Sequence, residues 1–233
     1  MPADYWITQT GATDMFHTPA VLPLTVRDFL TGVPGVASPK PFSGRRVAFT
    51  HNGKDINLYV IDDDTENNVG APARVVEGKA VPDKGEIIID RVVARSENIR
   101  VGDIIPVAGR TLKVAGYSEG GYILSFSFAF ATKEDAEGIL QLPGATNFFH
   151  VTVKDGTAAG EVASRIEADP AVDAITQDRF VENNTNIVRD TFLPIILVLL
   201  FIGIAVGMTV IDLTIFTSTI EKAREYGVLK AIG

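Results

Sequence analysis

The residue types that perform chemistry are sparse in this chain and poorly spaced for it. There is no cysteine, which excludes a thiolate nucleophile, a cysteine zinc site and a disulfide framework. His17, His51 and His150 show no metal-ligand spacing and read as structural or exposed histidines. Asp62-Asp63-Asp64 could supply half a calcium loop, but the required glycine and distal glutamate are missing. We read that triplet as a solvated turn. No G-x-S-x-G elbow and no plausible Ser/His/Asp set occurs, so hydrolase chemistry has little support. No G-x-x-x-x-G-K-[ST] phosphate loop is present either, so any ATP used must be hydrolysed by another polypeptide.

What the sequence does carry is a segment built for lipid. Mean hydropathy is +0.19 although 21% of residues are charged, and the excess is concentrated near the C-terminus. From Phe192 to Ile211, twenty consecutive residues contain no Asp, Glu, Lys, Arg or His. At about 1.5 Å per residue, that crosses a hydrocarbon core of roughly 30 Å. The pattern predicts a helix from Asp190 to Tyr226, with Pro194 tolerated in its first turn. Such a helix outruns the bilayer and ends in a charged stalk. Gly203 and Gly207 form a G-x-x-x-G that would let another helix approach closely. Asp212, just past the apolar run, reads as an interfacial carboxylate reaching water.

Charge places the rest. Residues 192–233 carry Lys222, Arg224 and Lys230 against Asp212, Glu221 and Glu225, which cancel, so the net charge of -8 lies in residues 1–191. An acidic domain repels phosphate backbones, which argues against a nucleic-acid partner. Lys222, Arg224 and Lys230 follow the span, whereas Arg179 and Arg189 precede it; the bias favours a cytoplasmic C-terminal side. Met1–Gln9 lacks a basic region followed by an apolar one. We therefore expect an upstream membrane segment that this chain does not include, and a chain that stops in mid-element at Gly233.

Residues ahead of the span read as an α+β domain in which strands, hairpins and short helices intersperse. Tyr5–Gln9 is a predicted strand, and Thr25 the predicted N-cap of a short helix ending at Gly32. Asn52-Gly53 joins Arg46–His51 to Asp55–Asp62 as a hairpin, and Thr65–Gly70 is loop. Gly85–Asp90 is a strand running into a helix capped by Asp90. Ala108-Gly109 turns Ile104–Val107 back along Thr111–Tyr117. Tyr122, Leu124, Phe126, Phe128 and Phe130 alternate as one strand with an apolar face that belongs to the core. Thr132 caps a helix through Leu140, with Glu134 and Asp135 in its first turn. Asn147–Val153, Ala158–Ala168 and Ala171–Thr176 form a β-α-β unit.

The run Glu221-Lys222-Ala223-Arg224-Glu225-Tyr226-Gly227-Val228-Leu229-Lys230-Ala231-Ile232-Gly233, directly after a membrane helix, resembles the cytoplasmic motif of MacB/FtsX-type ABC permeases. Gly85–Asp90, Val101-Gly102-Asp103 and Gly109–Gly116 fall in the order of that family's extracytoplasmic core domain. The resemblance implies a MacB-like core domain followed by one long transmembrane and stalk helix. It divides the chain into an extracytoplasmic domain (1–190), a membrane helix (191–216), and a stalk end with the start of a coupling helix (217–233). The family has four membrane helices, with the large domain between the first and second. Implied partners are a cytoplasmic ABC ATPase holding ATP and Mg, a second permease subunit, membrane lipid and a periplasmic adaptor; this chain itself binds no cofactor and is not an enzyme. In the implied coupling contact, Gly227 breaks the stalk and Val228, Leu229 and Ile232 offer an apolar face. Glu221, Arg224, Glu225 and Lys230 offer ion-pair partners. Closure of the ATPase would drive the outer domain as a lever, for export at the bacterial cytoplasmic membrane. The alternative is an FtsX-like regulator that activates an extracytoplasmic cell-wall hydrolase.

Overall fold

The computed structural model describes residues 4–16, 20–63, 70–123 and 126–233. In chain order, the first elements are β1 (Tyr5–Gln9), β2 (Leu22–Pro23), α1 (Val26–Gly32), β3 (Lys40–Phe42), β4 (Gly44–His51), β5 (Lys54–Asp63) and β6 (Val75–Gly78). There follow β7 (Glu86–Asp90), α2 (Arg91–Ser96), β8 (Ile104–Val107), β9 (Arg110–Ser118), β10 (Tyr122–Ile123) and β11 (Phe126–Thr132). The last are α3 (Lys133–Leu140), β12 (Ala145–Thr146), β13 (Phe148–Val151), α4 (Ala159–Ile166), β14 (Val172–Thr176) and α5 (Gln177–Ile232). Two compact units result, Met1–Asn183 and Asn184–Gly233. The first is the α+β body that the interspersed pattern predicts.

Its larger sheet follows the order β4-β5-β11-β7-β9-β6, with β10 added to β11 and β8 to β9. Local chemistry fixes its hairpins. Asn52 and Gly53 take φ of 50° and 78°, and Ala108 and Gly109 take 47° and 79°. Paired positive φ values give the turn whose twist matches the flanking strands. A smaller sheet has the order β14-β1-β13-β3. β1 pairs antiparallel with both β13 and β14, so the predicted β-α-β unit exists with β1 inserted between its two strands.

Alternation along the strands sorts side chains into three layers. Leu58, Val60, Ile87, Ile89, Ala129 and Ala131 face one core with residues of α2 and α3. Tyr59, Ile61, Ile88, Phe126 and Phe130 face the other way, meeting Phe42 and Phe148 of the smaller sheet. That sheet's far side packs Ile7, Phe149 and Val151 against Leu30 of α1 and Val162 and Ile166 of α4. The phenylalanine stripe is therefore interlayer core, as its spacing predicts.

Several expectations need correction. The single strand expected from Tyr122 to Phe130 is two strands folded back on each other, with Tyr122 opposite Ser127 and Ile123 opposite Phe126; Leu124 lies outside the described residues. Thr25 occupies the N-cap position of α1, but its side chain makes no capping bond. Asp62 is no solvated turn residue: it ends inside β5, is 3% exposed, and accepts the Ser43 N–H at 2.6 Å. Asp64 and most of the loop expected over 65–70 lie outside the described residues. The long helix begins at Gln177 rather than Asp190. Thr176 Oγ1 accepts the Arg179 N–H at 3.4 Å and Asp178 occupies the first turn, both helix-starting features. The polar run 182–186 that follows has no apolar periodicity to announce a helix. Pro194 consequently sits well inside α5, where its missing N–H breaks one rung of the ladder.

Two caps hold as expected. Thr132 Oγ1 accepts the Asp135 N–H at the start of α3. Asp90, fully buried, accepts the Val92 N–H at the start of α2 and the Gly121 N–H, both at 2.8 Å. An Asp90→Ala variant strands both donors, and we expect it to cost about 2–4 kcal/mol. Urea denaturation of the detergent-solubilised chain, followed by the emission of Trp6, its one tryptophan, measures this.

Candidate functional site

The C-terminal segment is a surface rather than a cleft. Glu221, Arg224, Glu225, Gly227, Val228, Leu229, Lys230 and Ile232 all lie on the continuous helix α5. Gly227 does not break it, contrary to expectation. A single glycine costs a helix only about 1 kcal/mol relative to alanine, and the neighbouring Leu229, Lys230 and Ala231 are good helix formers. Helical spacing then sorts the eight positions. Positions 221, 225, 228, 229 and 232 share one face, since they recur at three- and four-residue intervals. Gly227 and Lys230 fall on the opposite side, and position 224 lies at the edge of the stripe. Leu229 is 64% and Ile232 80% exposed. The arrangement offers a narrow apolar ridge with acidic positions on its N-terminal side.

The apolar span of the same helix is equally open. Phe192–Ile232 has a mean hydropathy of 2.8 over its most apolar stretch, with none of that stretch buried in the protein. It is long and apolar enough to cross a membrane. A Cβ placed on Gly203 or Gly207 would meet nothing within 4 Å, so both glycines sit on a free groove one turn apart. Asp212, nine residues beyond Gly203, projects from the opposite side of the helix. Thr209, Thr214, Thr217 and Thr219 each donate to the carbonyl four residues back, at 2.7–2.9 Å. Their hydroxyls thus need no water.

The domain holds one sizeable cavity among the described residues' hollows, about 460 Å³, lined by Phe16, Arg45, Arg46, Tyr59, Asn147 and others. Its polar groups are engaged by the fold. The Tyr59 hydroxyl lies 2.8 Å from the Met15 carbonyl and 3.0 Å from that of Gly44. Burial, reinforced by the Asp14 carboxylate, pushes its pKa far up, so the phenol stays protonated. Asn147 donates to the Ala20 carbonyl and accepts from Gly44 N–H. The Arg46 guanidinium lies 4.8 Å from the centre of the Phe126 ring. No nucleophile stands beside a base here.

Of the histidines, the two described ones, His51 and His150, lie in different sheets. His51 ends β4, His150 is 7% exposed on β13, and His17 lies outside the described residues. Among those residues, no group of three or more His, Asp or Glu could hold a metal ion. Burial, followed by the charge of Lys40, pulls the His150 pKa below its ordinary value.

No family model matches the chain, and no curated protein matches it by sequence. Solved structures do match. One is the periplasmic region of MacB from Actinobacillus actinomycetemcomitans, with a TM-score of 0.52 at 10% identity, covering 75% of this chain and 88% of that one. Another is the extracellular domain of a noncanonic ABC-type transporter, YknZ, from Gram-positive bacteria, with a TM-score of 0.52 at 16% identity, covering 75% of this chain and 100% of that one. The α+β body therefore has the fold of a MacB-type core domain.

His150 supplies a pH test. Its pKa is lower in the fold than in the unfolded chain, which takes up its proton near pH 6.5. The sign is fixed: stability falls as pH drops below about 6.5, because the unfolded state then binds more protons. A His150→Phe variant keeps a ring beside Trp6 and removes that contribution. Its unfolding midpoint should fall less between about pH 7 and pH 5 than that of the parent chain.

Proposed function

We propose that this chain is part of the membrane subunit of an ABC transporter, and that ATP burned by a separate ATPase moves its outer domain. What supports the reading is a single covalent fact: a body with the fold of transporter extracytoplasmic domains runs directly into a helix suited to lipid. In this reading residues 1–190 lie outside the cytoplasmic membrane, 191–216 cross it, and 217–233 reach the cytoplasm. The chain is not an enzyme; ATP and Mg are held by the partner.

The ridge formed by positions 225, 228, 229 and 232 is the surface offered to that ATPase. Leu229 and Ile232 supply apolar area, and Glu221 and Glu225 supply charge for a basic rim. Lys230 and Gly227, on the other side, are peripheral to the contact. Along the span, Gly203 and Gly207 face a second permease subunit, while lipid covers the remaining surface. A periplasmic adaptor or a cell-wall hydrolase is the outer client, according to whether the lever drives export or regulation.

The test is association with the ATPase. The chain is purified from membranes and titrated with the transport ATPase that co-purifies with it. We expect Leu229→Ala and Glu225→Lys each to weaken binding at least about tenfold, or 1.4 kcal/mol. Binding unchanged in both would remove the coupling contact from this ridge. Efflux of a cargo, set against activation of a wall hydrolase in the reconstituted complex, separates the export reading from the regulatory one.

A further inference from the structure

Within the unit Met1–Asn183, the first turns of α5 are fastened to the smaller sheet, and the fastening centres on one side chain. Trp6 lies on β1, opposite His150 of β13 on one side and Ile175 of β14 on the other. Its rings stack on Phe180 with centroids 4.5 Å apart and planes 14° apart. Its Nε1–H donates to Gln177 Oε1 at 2.5 Å. Phe42, Phe148 and His150 each meet the indole edge-on, at 5.2, 6.1 and 5.5 Å. Phe180, 4% exposed, also meets Phe148 edge-on at 5.3 Å.

Two further bonds hold the same helical segment. Gln177 N–H donates to the Asp4 carbonyl at 3.2 Å, and Asn183 Nδ2 to the Thr13 carbonyl at 2.9 Å. The aromatic stack is the main element in this set. A stacked aromatic pair contributes about 0.5–1.5 kcal/mol beyond the area it buries, whereas the Asn183 bond is exposed to competing water. The position of Trp6 matters as much as its contacts. β1 is laddered on both sides, so the indole cannot shift along the sheet without breaking hydrogen bonds to two strands. A rigid anchor thus grips the root of a long helix.

We propose that Trp6 is the joint through which α5 and the domain exchange load, by clamping Phe180 with its ring face and Gln177 with its N–H. This inference rests on the lever reading above, and it names the residues that make the lever pull on the sheet. Trp6 is a positioning residue: it touches neither cargo nor nucleotide. If it releases Phe180, α5 can move while the sheet stays still. The joint is built from β1, near the start of the chain, and from residues beyond 176, so it forms only when the domain closes end on end.

The chain has no cysteine, which allows a direct test under load. Handles are attached to the full chain in detergent through Lys113→Cys on β9 and Arg189→Cys on the exposed side of α5, and the first extension step is timed at constant force. We expect Phe180→Ala to speed that step at least about tenfold, because forced detachment follows the unfolding rate and the stack is already lost in its transition state. Gln177→Ala, which removes only the hydrogen bond and leaves the core untouched, should speed it about threefold. It keeps the test open if the alanine at position 180 prevents folding. A residue serving the core alone would instead lower the urea midpoint and leave the first step unmoved. First-step rates equal to the parent's in every variant that folds would overturn the joint. No ATPase or nucleotide enters the measurement, so it can fail while the coupling reading stands, and the reverse.

Discussion

The governing constraint is the apolar surface of α5. Leu197, Leu199, Leu200, Phe201 and Ile202 are each more than half exposed, as are most of their neighbours up to Phe216. In water, each such side chain leaves roughly 1.5–3 kcal/mol of burial free energy unrealised. Lipid resolves it. The helix also brings its own solution to the polar problem, since its backbone bonds are internal and its threonines return their hydroxyls to its own carbonyls. Asp212 is the single charge inside the run, and its side of the helix is not the side of the two glycines.

In the proposed lever, the root of α5 must be held by protein, or nothing connects it mechanically to the domain. The α+β body meets that need by its layering. Its largest aromatic side chains are placed between the two sheets, where Phe42, Tyr59, Phe126, Phe130 and Phe148 share one core with Phe180 of α5. The other two layers are mainly aliphatic, with Phe49 in one and Tyr5 and Phe149 in the other, and they hold the short helices. A helix root built into the aromatic layer is costlier to extract than one resting on the surface, because its removal opens the interface between both sheets. Within the unit Met1–Asn183, Phe180 thus sets the root of α5 in the layer between the two sheets.

Much of this was legible in the residues. Asn52-Gly53 and Ala108-Gly109 announce their hairpins, Asp90 and Thr132 announce caps, and the charge-free run announces a long apolar helix. These signals are local, and local chemistry decides them. What escaped notice was set by distant contacts. The early start of α5 is hidden because 182–186 is polar all round, and only Phe180, buried against Trp6, reveals that the preceding turn is anchored. Asp62 looks like a turn residue because its partner, Ser43, lies far back in the chain, between β3 and β4. The break after Ile123 was masked by an alternation that continues across it. For the C-terminal segment, the eight positions acquire sides only once the helix is known to be continuous; Gly227 suggests a break where good helix formers around it carry the helix through. A lone tryptophan near the start of the chain was the available hint of the joint, since a residue that large is rarely left without a packing role.

The central claim is that one helix crosses lipid with the folded body outside and the charged ridge inside. Because the chain lacks cysteine, single thiols report sidedness without background. Intact cells producing Lys113→Cys or Lys222→Cys variants of the full chain are exposed to a membrane-impermeant maleimide. The account predicts immediate labelling at position 113, and labelling at position 222 only after the membrane is permeabilised. Labelling at 222 in intact cells, or protection at 113, would contradict it.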